Sequence, residues 1–153
     1  MPTIILRWAP WVLAIWIAYV FIWYLQYKFT GHDGSAWLFT VITDWLGLEG
    51  YEKAMRIGVG SCELIAAILC LTPRLRAVGA AAAIALMSGA IFFHVASPLG
   101  IDPYDDGAKL FKEACATWVA GWVLLWLERD AALAIARQLP IIGGLVARFD
   151  FAR

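Results

Sequence analysis

A chain of 153 residues suits one domain, but its composition excludes an ordinary soluble one: 63% of the residues are hydrophobic and 16% charged, against about 45–50% and about 25% in globular domains. Twelve basic and twelve acidic residues cancel to a net charge of zero, which excludes the electrostatic footprint of a nucleic-acid binder. A mean hydropathy of +0.75 points to the lipid bilayer, where a spanning helix needs roughly 20 mostly apolar residues.

Taken in chain order, the first expected span covers about residues 8–27, with no charge between Arg7 and Lys28. It is too long for the apolar region of a signal peptide, and QYKFTG follows it instead of a small-residue cleavage site, so it is read as a mature helix. A long connection from Thr30 to Lys53 comes next. Within it Trp37, Val41 and Trp45 recur at four-residue spacing, as do Leu38, Ile42 and Leu46. That period predicts a short helix lying on the outer interface, capped by Ser35 and ended by Gly47.

The second span, about 54–71, carries Arg56 and Glu63. Pro73 in TPRLR stops it and makes a tight turn. The third, about 77–96, is alanine-rich and closes near His94. The connection SPLGIDPYDDG reads as turns. The fourth span, about 108–127, has Lys109, Lys112 and Glu113 in its first turns. The fold expected is an all-α integral membrane four-helix bundle over residues 1–128. The tail 129–153, broken by Pro140 and Gly143-Gly144, is expected to form two amphipathic helices on the inner surface.

Lys and Arg placement sets the orientation. Arg7, Arg74, Arg76, Arg129, Arg137, Arg148 and Arg153 fall on one side. On the other, Lys28, Lys53, Arg56, Lys109 and Lys112 are offset by seven acidic residues from Asp33 to Asp106. Both termini are therefore expected in the cytoplasm. Trp8, Trp11 and Trp126 fit an inner aromatic belt and Trp23 an outer one, whereas Trp118 and Trp122 read as packing residues.

Glu63 is the residue that most needs an explanation. A charge at mid-bilayer costs about 2.5–3.5 kcal/mol on insertion scales and persists when paired, protonated or facing a wet cavity. Gly60 and Ala67 flank it on its helical face, and such small residues admit a neighbouring helix. Lys28, His94 and Glu113 approach from the same end of the other three spans. A buried network is expected in which Lys28 reaches Glu63 and His94 bridges them, with Gln26 and Thr117 as further hydrogen-bond partners. Taken singly, Glu113, Lys109 and Lys112 read as a solvated helix start. The network admits two readings: interhelical glue, or a polar pocket for a quinone head group or a proton path.

Cys62 and Cys115 lie at one expected depth and would form a redox pair if their helices touch, although cysteine is also a common small apolar residue in membranes. Cys70 reads as inert and His32 as a solvated loop residue. Three cysteines in no metal-ligand spacing argue against a structural metal site. No segment reads as a flavin, iron–sulfur or haem site on this chain alone.

Four features together resemble the DoxX family of small bacterial membrane proteins: a lysine closing the first span (YLQYKFTG), the G-x-x-E-L pattern of GSCELIAAILCL, a histidine ending the third span (SGAIFFHVASPLGI), and the short Pro-Arg turn. The resemblance covers about residues 10–127 and implies a four-helix bundle in a bacterial inner membrane. It maps polar positions onto Lys28, Glu63 and His94. Relatives of that family include subunits of a thiosulfate:quinone oxidoreductase, partners of redox enzymes and assembly chaperones. The functions this implies are a redox-associated subunit with a quinone-like or lipid ligand, a non-enzymatic accessory subunit of a larger membrane complex, or a small oligomeric transporter. Membrane lipid and either a partner membrane protein or further copies of the chain are the expected partners.

Overall fold

The computed structural model describes residues 2–138. Six helices follow in order: α1 (Pro2–Thr30), α2 (Asp33–Trp45), α3 (Glu52–Leu71), α4 (Arg76–Ala96), α5 (Lys109–Leu127) and α6 (Arg129–Gln138). Segments Trp8–Thr30, Glu52–Leu71, Arg76–Ala96 and Lys109–Leu127 are each long and apolar enough to cross a membrane. The bundle is all-α, and the four spans match the apolar runs of the sequence because little else terminates them: a Pro-Arg turn, polar loops and charged ends.

α1 packs against α3 and α5, and α4 packs against the same two helices. The spans therefore form a ring in the order α1–α3–α4–α5, with α3 and α5 diagonal to each other. α2 lies across α3 and α1, and α6 touches α4 and α5. The rest of the expected tail, including Pro140, Gly143-Gly144 and Arg148, lies outside the described residues.

The two ends of the bundle are built differently. Near the Pro-Arg turn the core is made of small residues: Ala14, Ala66, Ala67, Cys70, Ala80 and Ala83 are fully or almost fully buried, with Ile17 and Leu124 filling between them. Small side chains let helices approach until backbones nearly touch. Gly79 marks the closest approach, since a Cβ there would lie 2.4 Å from the Cys70 nitrogen. Arg76, itself buried, ties this end together. Its Nε donates to the Cys70 carbonyl, its Nη1 lies 3.1 Å from Glu128 Oε1, and its guanidinium lies 4.1 Å from the Trp11 ring centroid.

Outward-facing positions are apolar throughout: Val12, Ile15, Ile65, Ile68, Val95, Val119 and Val123 are all exposed on the isolated chain. A soluble surface does not carry apolar area on that scale, whereas lipid covers it without cost. Trp126 is also exposed, with Arg129 4.9 Å from its ring. Trp118 donates from Nε1 to Ser88 Oγ at 2.9 Å and packs on the core, as expected of a packing residue. Trp122 is about half exposed and faces outward instead.

α2 differs from its sequence reading in its cap and its face. His32, not Ser35, is the N-cap, its Nδ1 accepting from the Gly34 N–H. The buried side is Phe39, Ile42 and Thr43, while Trp37 and Trp45 stay exposed at the rim. Trp37 packs against Tyr104, and Trp45 against Phe92 and Phe93. Gly47, with φ +70°, follows the end of α2 as expected.

Candidate functional site

Opposite the packed alanines, the four spans separate around a cavity of about 600 Å³. It lies between Val20–Lys28 on α1, Met55–Glu63 on α3, Ala85–His94 on α4 and Leu110–Ala114 on α5, with α2 over it. The shift from alanine to larger side chains explains why the helices close at one end and part at the other. Phe21, Phe39, Met55, Met87 and Phe93 are among the large apolar residues of the wall. The volume falls within the range of about 300–1,000 Å³ typical of small-molecule sites.

Three polar clusters interrupt this apolar wall. In the first, Lys28 Nζ lies 2.8 Å from Glu63 Oε2, and both side chains are almost wholly buried. The contact is an ion pair off the hydrogen-bonding direction, since Oε2 has no directional hydrogen-bond donor. Gly60 allows it: its missing Cβ would lie 3.5 Å from Lys28 Cβ and 3.1 Å from the Phe29 ring. A buried pair of this kind offsets most of the cost of desolvating its members, but leaves little net stability. Arg56 fixes the register. It donates from Nη1 to the Lys28 carbonyl, one of the last carbonyls of α1, and from Nε to Glu52. A cation at these carbonyls also opposes the negative end of the helix dipole.

In the second cluster the Tyr24 hydroxyl donates to Glu113 Oε2 at 2.5 Å, joining α1 to α5. The same Tyr24 ring lies 5.6 Å from Lys28 Nζ. Glu113 is thus a cavity residue rather than part of a solvated helix start, whereas Lys109 and Lys112 are exposed as expected. The third cluster is His94, 4% exposed. Its Nδ1 lies 2.7 Å from the Gly100 carbonyl, and its ring meets Phe111 edge-on.

Several expectations need correction. His94 does not bridge Lys28 and Glu63, because the reversal after α4 presents the Gly100 carbonyl to its Nδ1. Gln26 lies outside the cavity. Two residues from Lys28 is about 200° around a helix, so its amide turns back to the Trp23 carbonyl on the outer face. Thr117 is fully buried, yet its hydroxyl has no hydrogen-bond partner and does not join the network. Cys62 and Cys115 are free thiols, one exposed and one half-buried, on helices diagonal across the ring. Cys70 is buried and free. His32 is a helix cap with its ring against Tyr27, and it also borders the cavity.

Two residues of the site were absent from the sequence reading. Tyr24 is four before Lys28 and therefore on its face, a signal hidden by the general abundance of aromatics. Tyr104 closes the rim: its hydroxyl donates to the Gly34 carbonyl at 2.8 Å, latching the α4–α5 loop onto α2. Partial burial and nearby Asp106 push its phenol pKa up, so it remains a donor. Among the described residues no group of three or more potential metal ligands comes together.

Fold and cavity define a multi-pass helical membrane protein with a partly open, mostly apolar cavity between its spans, edged by charged and hydrogen-bonding groups. No family model matches the chain, and no solved structure does. The chain is 27% identical over 92 residues to the uncharacterized protein YwoB of Bacillus subtilis (strain 168). The match takes in 60% of this chain and 54% of that protein, so the chain spans little more than half the length of the relative it matches.

Proposed function

We propose that this chain is a DoxX-like membrane protein that binds a quinone-like amphiphile in the cavity and serves as the membrane subunit of a redox partner. The observation that carries the reading is the cavity itself: an apolar chamber of about 600 Å³ with Lys28–Glu63, Tyr24–Glu113 and His94 on its walls. A quinone-like head group needs a flat apolar slot and hydrogen-bonding groups at its oxygens. A phospholipid head group fits less well, because its phosphate would face Glu63 and Glu113 while Lys28, the only ammonium on the wall, is already paired.

The roles follow from chemistry. The Lys28 ammonium has three N–H donors and can hold an oxygen acceptor beside its ion pair with Glu63. Glu113 and the imidazole of His94 can take up protons. The apolar walls exclude water and grip the ring. This chain would bind and position the ligand, and the partner would exchange electrons with it. The arginines near the Pro-Arg turn and after α5 favour both termini in the cytoplasm, and the DoxX-like reading implies a bacterial inner (plasma) membrane.

A photoreactive azidoquinone tests the reading. Labelled peptides should map to residues 20–28, 55–63 and 85–94, and excess unlabelled quinone should suppress them. Labelling confined to lipid-facing positions such as Ile65 or Val119 would contradict the assignment.

A second reading, an accessory subunit without a ligand, draws on α1. Trp16, Tyr19 and Trp23 form a continuous aromatic row on its outer face, with centroids 6.5 and 6.2 Å apart. Such a row suits packing against another membrane helix. Replacing all three by leucine would abolish co-purification of a partner on this reading, and unchanged co-purification would contradict it.

A further inference from the structure

From the hydrogen-bonding polarity of the cavity wall we infer that the site selects the reduced, dihydroxy form of its ligand over the oxidised dicarbonyl form. The inference rests on the quinone-like reading above and adds the redox state that is bound.

His94 carries the argument. A carbonyl oxygen can only accept, so the 2.7 Å contact with Gly100 requires the proton on Nδ1. In the neutral form of the ring that tautomer leaves Nε2 a bare acceptor. Nε2 has no hydrogen-bond partner among the described residues, although the side chain is buried and borders the cavity. The Gly100 carbonyl is held in place by the turn that follows α4, where the Gly100 N–H reaches the Ser97 carbonyl and the Ser97 hydroxyl accepts from Leu99. The tautomer is therefore built into the fold, in the way metal-site histidines are fixed by a second hydrogen bond.

Two carboxylates on the other walls share this polarity. Glu63 and Glu113 are acceptors, and the Tyr24 hydroxyl proton is already committed to Glu113. Lys28 is the one ammonium among the described wall residues, and Glu63 competes for it. The Tyr27 and Ser35 hydroxyls can donate or accept, and His32, whose Nδ1 accepts from the Gly34 N–H, is the remaining N–H donor at the rim. A hydroquinone brings two O–H donors, one for His94 Nε2 and one for a carboxylate of Glu63 or Glu113. A quinone brings two acceptors, one of which would oppose the His94 lone pair. Sites built around a hydrogen bond reject analogues that cannot make it far more strongly than apolar sites reject a size change.

Anaerobic calorimetry at pH 8 tests this with duroquinone and durohydroquinone as probes, on protein in lipid nanodiscs. Durohydroquinone should bind at least about tenfold more tightly, which would raise the potential of the bound two-electron couple by about 30 mV. His94→Phe should bring the two affinities to within about threefold, and His94→Gln, whose amide oxygen still accepts, should restore part of the preference. Equal binding of both forms to the wild type, or tighter binding of duroquinone, would overturn the inference while leaving the quinone-like reading in place. Binding of neither probe would overturn both. The wild-type comparison needs no variant to fold.

Discussion

Arg56 and Lys28 are joined through the main chain: Arg56 Nη1 donates to the Lys28 carbonyl, while the Lys28 ammonium reaches Glu63, two turns further along α3. α3 thus holds residue 28 by its backbone and by its side chain. The first contact caps α1, and the second places a paired charge in the cavity wall.

Removing the cap should loosen the end of α1 before it disturbs the bundle. Arg56→Leu is expected to cost about 1–3 kcal/mol, the range for losing a charged hydrogen bond to a buried carbonyl. Hydrogen exchange should accelerate at Gly31 and His32, beside the α1 terminus. Unchanged exchange across residues 28–34 would show that Arg56 is not the cap.

The Lys28–Glu63 pair is tested by a double-mutant cycle. Lys28→Met leaves a buried carboxylate without its partner and should cost about 3–5 kcal/mol, while the double variant with Glu63→Gln should cost clearly less than the two single changes summed. Reversible unfolding in mixed micelles reads the energies. Additivity within about 0.5 kcal/mol would mean that the two charges do not sense each other.

The all-α bundle, its four membrane-length helices and the approach of Lys28 to Glu63 were legible in the sequence, for a physical reason. Spanning helices need long apolar runs, and a carboxylate inside one must meet a partner at its own depth. Hydrogen-bond direction was not legible. His94 was expected at Lys28 and Glu63, but Gly100, six residues away, offered a nearer acceptor. Gln26 shared a depth with Lys28 but not a face. Glu113 taken alone looked like a solvated helix start, and only the packing of α1 on α5 brings Tyr24 to it. Depth follows from counting residues, whereas azimuth depends on which helices are neighbours.

The packed end of the bundle predicts a contrast between two glycines. Gly79→Ala would place a methyl 2.4 Å from the Cys70 nitrogen, backbone that cannot swing aside. It should destabilise by about 1–3 kcal/mol or more. Gly58 faces open space, so Gly58→Ala should stay within about 1 kcal/mol of the wild type, in the stabilising direction. Thermal unfolding of both variants measures the contrast, and equal effects would contradict the close α3–α4 packing.

The α4–α5 loop should show a pH response set by Asp102. The backbone N–H groups of Ala108, Asp106 and Gly107 hold its carboxyl below the ordinary value of 3.8. A depressed carboxyl contributes order that is complete above that ordinary value and is lost as pH falls through the lowered one. Asp102 Oδ1 accepts from Asp106 N–H and Oδ2 from Gly107 N–H. Slowed amide exchange at 106 and 107 should therefore persist at pH 4.5 and fade only under stronger acid, whereas Asp102→Ala should lack it at every pH. Loss of the slowed exchange already at pH 5 would contradict the assignment.

The most direct test of the cavity as a ligand site is quantification of quinone extracted from purified protein, compared with a variant whose cavity is filled. Ala90 lines the cavity, and Ala90→Phe adds bulk there without replacing Lys28, Glu63 or His94. The account predicts close to one isoprenoid quinone per wild-type chain and almost none in Ala90→Phe of matching thermal stability. No quinone in the wild type, or equal amounts in both proteins, would contradict it.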